Sequence, residues 1–256
     1  MALVVTKIGE GLRFWQATNP DTPPGGWPNG SGPVVGSVLL EADGGIALID
    51  PQVPPDGPDR ERFWVALDRD VARHPDGWLA IILTFPGHDR STREIADRYG
   101  ARLPASIWIP AGAVAWSEIA HTHTYGRADT LPGGIVPVLF DLPGGYPDAE
   151  AALAIPAHRT VVFGDAVIGR EAGDPLGPGL RLPPDSTFIG DDDAARSATQ
   201  AWFGTTFRDV IARVRAMFDP ETVLVTHGEP VFGNGRQALA ALQSVLDGYR
   251  PESDPA

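Results

Sequence analysis

The segment Leu79-Ala-Ile-Ile-Leu-Thr-Phe-Pro-Gly-His-Asp-Arg90 decides the fold, because an apolar run of strand length changes at once into a polar cluster. The run from Leu79 to Leu83 favours a strand that is buried on both faces, as in the centre of a layered α/β protein. Loops that follow such strands gather at one edge of the sheet and form the site. The candidate site residues that this segment supplies are Phe85, His88, Asp89 and Arg90.

Three further segments show the same change from an apolar strand to a polar cluster. They are Phe140-Asp-Leu-Pro-Gly-Gly-Tyr146, Phe163-Gly-Asp165 and Val225-Thr-His-Gly-Glu-Pro230. Because strand ends of this kind meet at one edge of a sheet, we expect the four polar clusters to form one site. The residues that these segments add to the candidate set are Tyr146, Asp165 and His227.

The rest of the chain is patterned as strands and helices. Asp43-Gly-Gly45 is a strong hairpin signal between two apolar strands. Phe63, Leu67 and Val71 recur at four-residue spacing and predict a helix. The strand-then-helix pattern occurs twice at larger scale, which indicates two similar layered halves that share one core. We predict a single domain over residues 1–250 and a loose tail over residues 251–256.

The order of these features resembles the metallo-β-lactamase superfamily. A hairpin, Asp-Pro and a strand precede Thr-x-x-x-His-Asp, and a further strand, Phe-Gly-Asp, a loop and Thr-His-Gly-Glu-Pro follow. The resemblance covers residues 37–246. It implies an α/β fold, an αββα sandwich of two mixed β-sheets with helices outside. It also implies a site at one edge where a metal-activated water hydrolyses esters, thioesters, amides or phosphoesters.

The metal motif of that superfamily, T-H-x-H-x-D-H, is degenerate in this chain. When the motif is laid on the sequence from Thr84 onward, its aspartate falls on Asp89 and its histidines fall on residues of other types. These residues are Phe85, Gly87 and Arg90. His88 falls on a variable position. The next histidine of the family is also missing, because the corresponding turn reads Pro143-Gly-Gly-Tyr146.

The resemblance therefore leaves a remnant metal site of Asp89, Asp165 and His227, the last two matching the bridging aspartate and the final histidine of the family. Arg90 is a donor-only cation and cannot act as a ligand. Two unit charges about 4 Å apart interact by about 4 kcal/mol at an effective dielectric constant of about 20, and a divalent ion doubles that repulsion. We hypothesise that Arg90 occupies the vacated cation position and neutralises Asp89 and Asp165.

The sequence leaves three functions open. The first is a hydrolase-like protein that has lost dinuclear zinc hydrolysis, has no cofactor, and uses its cleft for small-molecule binding or regulation. The second is a hydrolase with one divalent ion (zinc, iron or manganese) on the remnant site. The third is a metal-free hydrolase in which His88 or His227 is the base and Arg90 stabilises an oxyanion.

His121-Thr-His123 is a separate histidine pair. A His-x-His pair on a strand can chelate a metal ion, so His121 and His123 are candidates to replace the missing ligands or to bind a ligand. The pair follows a predicted short helix and precedes a polar stretch, which favours a solvated loop.

Composition excludes several classes of partner. The chain has 33 acidic and 20 basic residues and a formal net charge of −13 at pH 7, which disfavours nucleic acids and anionic membranes. It has no cysteine, so thiolate chemistry is absent. The first ten residues show no basic start followed by a long apolar run, so we expect no signal peptide, and the sequence has no apolar stretch of about 18 residues. We predict a cytoplasmic protein whose ligand or substrate is a small molecule.

Overall fold

Two β-sheets pack face to face at the centre of the molecule, and helices cover their outer faces. The computed structural model describes residues 3–27 and 30–249, so the predicted tail at residues 251–256 lies outside the described residues. One buried cluster contains Leu40 and Ile82 from the first sheet together with Leu153 and Leu224 from the second. The predicted αββα sandwich is therefore confirmed.

Within the described residues, the first sheet has seven strands that follow one another in chain order. They are β1 (Val4–Gly9), β2 (Leu12–Thr18), β3 (Val34–Ala42), β4 (Gly45–Ile49), β5 (Trp78–Ile82), β6 (Ala105–Pro110) and β7 (His123–Tyr125). Neighbours pair antiparallel from β1 to β4 and parallel from β4 to β7, so the sheet is mixed. Within β5, the side chains from Leu79 to Ile82 are inaccessible to solvent, as a central strand requires.

The second sheet has four strands in the part of the chain that the structure describes. The remaining strands of the chain are β8 (Val136–Leu142), β9 (Tyr146–Ile155), β10 (Thr160–Phe163), β11 (Ile168–Gly169), β12 (Leu180–Arg181) and β13 (Thr222–Val225). The order in the second sheet is β13-β10-β9-β8, with β10 and β13 parallel. Strands β11 and β12 pair separately as a short ribbon.

Helices cover both outer faces of the sandwich. Helices α1 (Pro58–Ala72) and α2 (Thr92–Tyr99) pack on the first sheet, and α3 (Asp193–Trp202), α4 (Arg208–Phe218) and α5 (Gly235–Asp247) pack on the second. A π-helical turn over residues 203–207 continues α3 into α4. Asp192 caps α3, because its Oδ1 accepts a hydrogen bond from the backbone N–H of Ala195 at 2.8 Å. None of the helices in the described ranges is both long and apolar enough to cross a membrane.

A backbone contact joins the two sheets beside the strand ends. The backbone N–H of Gly36 in β3 donates to the carbonyl oxygen of Thr226, directly after β13, at 2.7 Å. A Cβ atom at Gly36 would lie 2.4 Å from the carbonyl oxygen of Val225 and 2.7 Å from the Phe14 ring. Only glycine permits so close an approach. The contact fixes the segment after β13 relative to β3 and to the loop that precedes β3.

Candidate active site

Polar residues at the ends of four strands lie within hydrogen-bonding distance of one another. Asp50 follows β4, His88 follows β5, Asp165 follows β10 and His227 follows β13. Two of these strands belong to each sheet, so the cluster lies where the sheets share an edge. Strand ends in α/β proteins supply the usual place for a ligand.

His88, Asp165 and His227 form a compact group of potential metal ligands. His88 Nε2 lies 3.3 Å from Asp165 Oδ1, and His227 Nε2 lies 3.0 Å from the same oxygen. One ligand atom from each residue lies within 4.8 Å of the other two. Ligand atoms about 2.0–2.2 Å from a tetrahedral zinc ion are about 3.3–3.6 Å apart. The observed separations are therefore close to those expected for ligands of a single ion.

The second ring nitrogen of each histidine is held by an oxygen outside this group. His88 Nδ1 lies 3.0 Å from Asp50 Oδ2, and His227 Nδ1 lies 2.9 Å from Ser31 Oγ. Both histidines are buried, each with 3% of its surface exposed. A histidine that binds a metal through one ring nitrogen usually forms a hydrogen bond through the second one, and this hydrogen bond fixes the orientation of the ring. Both imidazoles are thus oriented with Nε2 toward Asp165.

Asp50 is a carboxylate of the site with several hydrogen bonds. It accepts hydrogen bonds from the backbone N–H of Thr84 at 2.8 Å, from the Thr84 hydroxyl, and from the Thr226 hydroxyl at 3.1 Å. Its backbone has a φ of 45°, in the left-handed region that an aspartate adopts at a steric cost. Burial raises the pKa of Asp50, but His88, Arg90 and Thr84 together outweigh that effect, so the pKa is lowered. Asp50 is therefore a fixed negative charge behind His88.

The electrostatics of the cluster favour a positive charge at its centre. Burial lowers the pKa of His88, but Asp50 and Asp165 raise it to about 9. Burial raises the pKa of Asp165, but His88 and His227 hold it well below its ordinary value. Burial lowers the pKa of His227 more than Asp165 raises it. A proton on His88 supplies the positive charge in this state, and a metal ion can supply it instead.

Arg90 lies beside this group. Its guanidinium donates from Nη1 to the backbone oxygen of Asp50 at 3.4 Å, and its backbone has a φ of 30°. Burial lowers the pKa of Arg90, while the charges of Asp50 and Asp165 oppose that effect. Of the two cations that the sequence offers here, His88 makes the 3.3 Å contact with Asp165. The charges of Asp165 and Asp89 also act on Arg90, but no hydrogen bond joins its guanidinium to either among the described residues, so the replacement of a metal by Arg90 stays a prediction.

Asp89, a ligand in the sequence-based remnant site, lies outside the group. Its side chain is exposed, and its Oδ1 accepts a hydrogen bond from the backbone N–H of Arg90 at 2.8 Å. The physical reason is the 3₁₀ turn at Pro86–His88, which buries His88 and leaves the following residue at the surface. The motif alignment assigned His88 to a variable position. The structure replaces Asp89 with His88 in the candidate ligand set.

His121 and His123 lie at β7, on the edge of the first sheet. The ring of His123 is exposed and stacks on Trp108, with ring centroids 4.2 Å apart. His121 Nδ1 lies 3.3 Å from the backbone oxygen of Ile119. The candidate ligand group of the described residues does not include either histidine. The structure therefore does not bring this pair to the described ligand group, and the loop interpretation holds for His121 but not for His123, which begins β7.

A cavity of about 470 Å³ opens above the ligand group. Its volume is in the range of small-molecule sites. Phe85 and Tyr146, both candidate site residues from the sequence, are among the lining residues. The full lining consists of Asn19, Trp27, Phe85, Gly87, His88, Arg90, Leu142, Pro143, Tyr146, Asp165, Thr187, Phe188 and His227. The ligand group and Arg90 contribute to the polar part of this cavity, and aromatic side chains form much of the remainder.

Sequence reasoning missed three residues that support the site. Asp50 follows an apolar strand just as the predicted site residues do, so the same rule would have found it. Ser31 lies in a proline- and glycine-rich loop and gave no signal. Glu150 is fully buried within β9, and its Oε1 accepts a hydrogen bond from the backbone N–H of Ala166 at 3.0 Å. Burial, reinforced by the charge of Asp165, raises the pKa of Glu150 to about 8.

Comparison with known proteins identifies the fold. No family model and no curated protein matches the chain. Among solved structures, the metallo-β-lactamase DIM-1 is 14% identical with a TM-score of 0.62, and the alignment covers 98% of this chain and 99% of that one. FIM-1 from Pseudomonas aeruginosa, in its mono-zinc form, is 13% identical with a TM-score of 0.62 and covers 98% of both chains.

A metallo-β-lactamase from Hirschia baltica gives the same result, with 14% identity, a TM-score of 0.62 and coverage of 98% of this chain and 100% of that one. Identities at this level show the fold alone. The chain therefore has the metallo-β-lactamase fold, as its sequence predicts.

The site fits a single metal ion. The group of possible ligands in the described residues consists of two imidazole nitrogens and one carboxylate oxygen. Three protein ligands with an open position are typical of catalytic zinc sites, and two histidines with one carboxylate also suit iron. A second ion would need ligands beyond the one described group, so the fit does not extend to a dinuclear centre.

Proposed function

We propose that the chain is a hydrolase that uses one divalent metal ion held by His88, Asp165 and His227. The observation that carries this proposal is the set of three ligand atoms within 4.8 Å of one another, with both histidines already oriented through Nδ1. The substrate is a small molecule with an ester, thioester, amide or phosphoester bond. Dinuclear zinc hydrolysis is lost, because the histidines of the superfamily motif are absent.

Each residue of the site has a distinct part in this proposal. A bound ion of this kind supplies Lewis acidity and an activated water at neutral pH. Asp50 and Ser31 hold the two imidazole rings in the orientation that binding requires. Glu150 holds the turn that carries Asp165 through the backbone N–H of Ala166. The aromatic side chains of the cavity exclude bulk water and strengthen the electrostatic interactions inside.

Metal analysis of the protein tests this proposal. The chain is purified without a histidine tag, supplied with zinc, iron or manganese, and its bound metal is measured by elemental analysis. We expect one ion per chain and turnover of a generic ester that a chelator abolishes. The absence of a bound ion after all three supplements would overturn the proposal.

Two aspartate variants provide a matched comparison. Asp165→Ala removes the carboxylate that contacts both histidines, whereas Asp89→Ala removes an exposed carboxylate that lies one residue from His88. We expect metal binding to be lost in the first variant and retained in the second. Loss of the ion in Asp89→Ala alone would restore the ligand set that the motif alignment predicts and contradict the one proposed here.

A second candidate is a metal-free protein that uses the cavity for small-molecule binding or regulation. Two observations favour it: Asp165 Oδ1 lies within hydrogen-bonding distance of both imidazoles, and the permanent charge of Arg90 lies beside them. This candidate predicts no bound ion and no turnover of generic esters. Turnover that resists a chelator would instead indicate a metal-free hydrolase.

A further inference from the structure

The cavity combines an apolar wall with one permanent positive charge. Among its lining residues in the described part of the chain, Arg90 is the one arginine or lysine. The apolar and aromatic part of the wall consists of Trp27, Phe85, Leu142, Pro143, Tyr146 and Phe188. A wall of this composition favours a ligand with an apolar body, and the arginine adds a requirement for negative charge.

The hydrogen-bonding capacity of Arg90 is largely unused. A guanidinium carries five N–H donors in a planar fork. In the described residues, one of them donates to the backbone oxygen of Asp50 at 3.4 Å, which is long for a hydrogen bond. The side chain is half-buried, so a ligand in the cavity can reach it.

The carboxylates near Arg90 already have partners. Asp50 accepts hydrogen bonds from Thr84, Thr226 and His88, and Asp165 contacts His88 and His227. Among the described residues, no hydrogen bond joins the Arg90 guanidinium to a carboxylate, although the charges of Asp50, Asp165 and Asp89 act on it. A fork that is not bound to a protein carboxylate is suited to the planar carboxylate of a ligand.

We propose that the cavity takes a small carboxylate with an apolar or aromatic body, and that Arg90 binds its carboxylate group. The apolar wall favours a carboxylate that carries an apolar body over inorganic phosphate, which has none. The proposal deepens the proposed function by naming a substrate class and rests on it for the bond that is cleaved. Recognition of the carboxylate by Arg90 does not require the metal ion.

Arg90 is also expected to couple ligand binding to metal binding. Its charge repels a divalent ion held by His88, Asp165 and His227, and a bound carboxylate offsets that repulsion. Substitution of Arg90 should therefore move two affinities in opposite directions. The ion should bind more tightly and the carboxylate less tightly. A residue that only supports the fold would weaken both.

Calorimetric titration with phenylacetate and phenylacetamide tests the proposal. The two probes share an apolar body and differ in charge, and inorganic phosphate serves as an anion without an apolar body. We expect phenylacetate to bind about tenfold more tightly than the amide, the ratio typical of a charged hydrogen bond. Arg90→Gln should remove that difference, leave the amide unaffected and tighten zinc binding. Phosphate should bind more weakly than phenylacetate.

Arg93→Gln is the matched control, because it makes the same change of charge at an exposed position on α2. It should leave all probe affinities unchanged. Equal binding of the two probes by the original protein, or no binding of either, would overturn the proposal. The proposal would also be overturned if Arg90→Gln weakened the binding of both probes equally, or if it left the affinity for phenylacetate unchanged. The probes are titrated with and without zinc, so failure to bind the metal is recognised separately from failure to bind the carboxylate.

Discussion

The two histidine pairs of the chain have opposite surroundings. His121 and His123 are close in sequence, yet the ring of His123 stacks on Trp108 at the surface. His88 and His227 are far apart in sequence, yet both are buried and contact the same oxygen of Asp165. The difference shows that a possible metal ligand is defined by a held ring and a neighbouring carboxylate. Short spacing in the sequence does not provide either.

Removal of one histidine from each pair should give the largest contrast. His227→Ala deletes one of the three ligands, so its zinc affinity should fall more than about 100-fold, beyond the usual effect of a residue that only orients a ligand. His123→Ala should leave the affinity unchanged, because its ring contacts Trp108 and not the ligand group. Competition with a chromophoric chelator measures both. Equal affinities in the two variants would contradict the distinction between the pairs.

Neutralising Asp50, the carboxylate that contacts His88 Nδ1, should have the next largest effect on zinc affinity. Asp50→Asn keeps the shape of the side chain but removes the negative charge that orients His88 and supports its charge. We expect zinc affinity to fall by about 10–100-fold. Asp89→Asn, at the exposed position nearby, should have no such effect. A larger loss in Asp89→Asn than in Asp50→Asn would show that the exposed carboxylate is the one that matters.

Removing the Ser31 hydroxyl, which contacts His227 Nδ1, should have a smaller effect on zinc affinity. Ser31→Ala removes the neutral partner of His227 Nδ1, 2.9 Å away, and leaves the ring without that contact. A neutral hydrogen bond contributes about 0.5–1.5 kcal/mol, so zinc affinity should fall by about tenfold or less. Ser244→Ala, on the exposed face of α5, is the control. An unchanged affinity in Ser31→Ala would mean that the loop before β3 does not orient His227.

Substitution of His121 or His123 should affect the stability of the fold and not metal binding. His123→Ala removes the stacking contact with Trp108, and an aromatic pair contributes about 0.5–1.5 kcal/mol. We expect the free energy of unfolding, measured by urea denaturation, to fall by no more than that range. His121→Ala should change it less, because His121 contributes no ring contact among those described. A change in metal content in either variant would show that His121 or His123 contributes to the metal site.

The fold was predictable because its signals are local and repeated. The apolar run of β5, the hairpin between β3 and β4, and the polar clusters after the strands each follow from residue type and spacing. The position of Asp165 and His227 at strand ends was predictable for the same reason.

The motif did not predict which residue of the segment after β5 is buried and contacts the ligand group. Alignment by spacing selects Asp89, but the 3₁₀ turn at Pro86–His88 buries His88 and exposes Asp89. Whether residue 88 or residue 89 is buried depends on the geometry of this turn and not on the spacing of residues in the motif. Ser31 was beyond sequence reasoning as well, because its contact with His227 comes from the return of a long loop.

Anomalous diffraction at the zinc absorption edge, recorded from crystals grown with zinc, tests the central claim most directly. The account predicts one ion at about 2.0–2.2 Å from His88 Nε2, Asp165 Oδ1 and His227 Nε2. A crystal without an ion at these atoms, or with an ion bound by Asp89 or by His121 and His123, would contradict it.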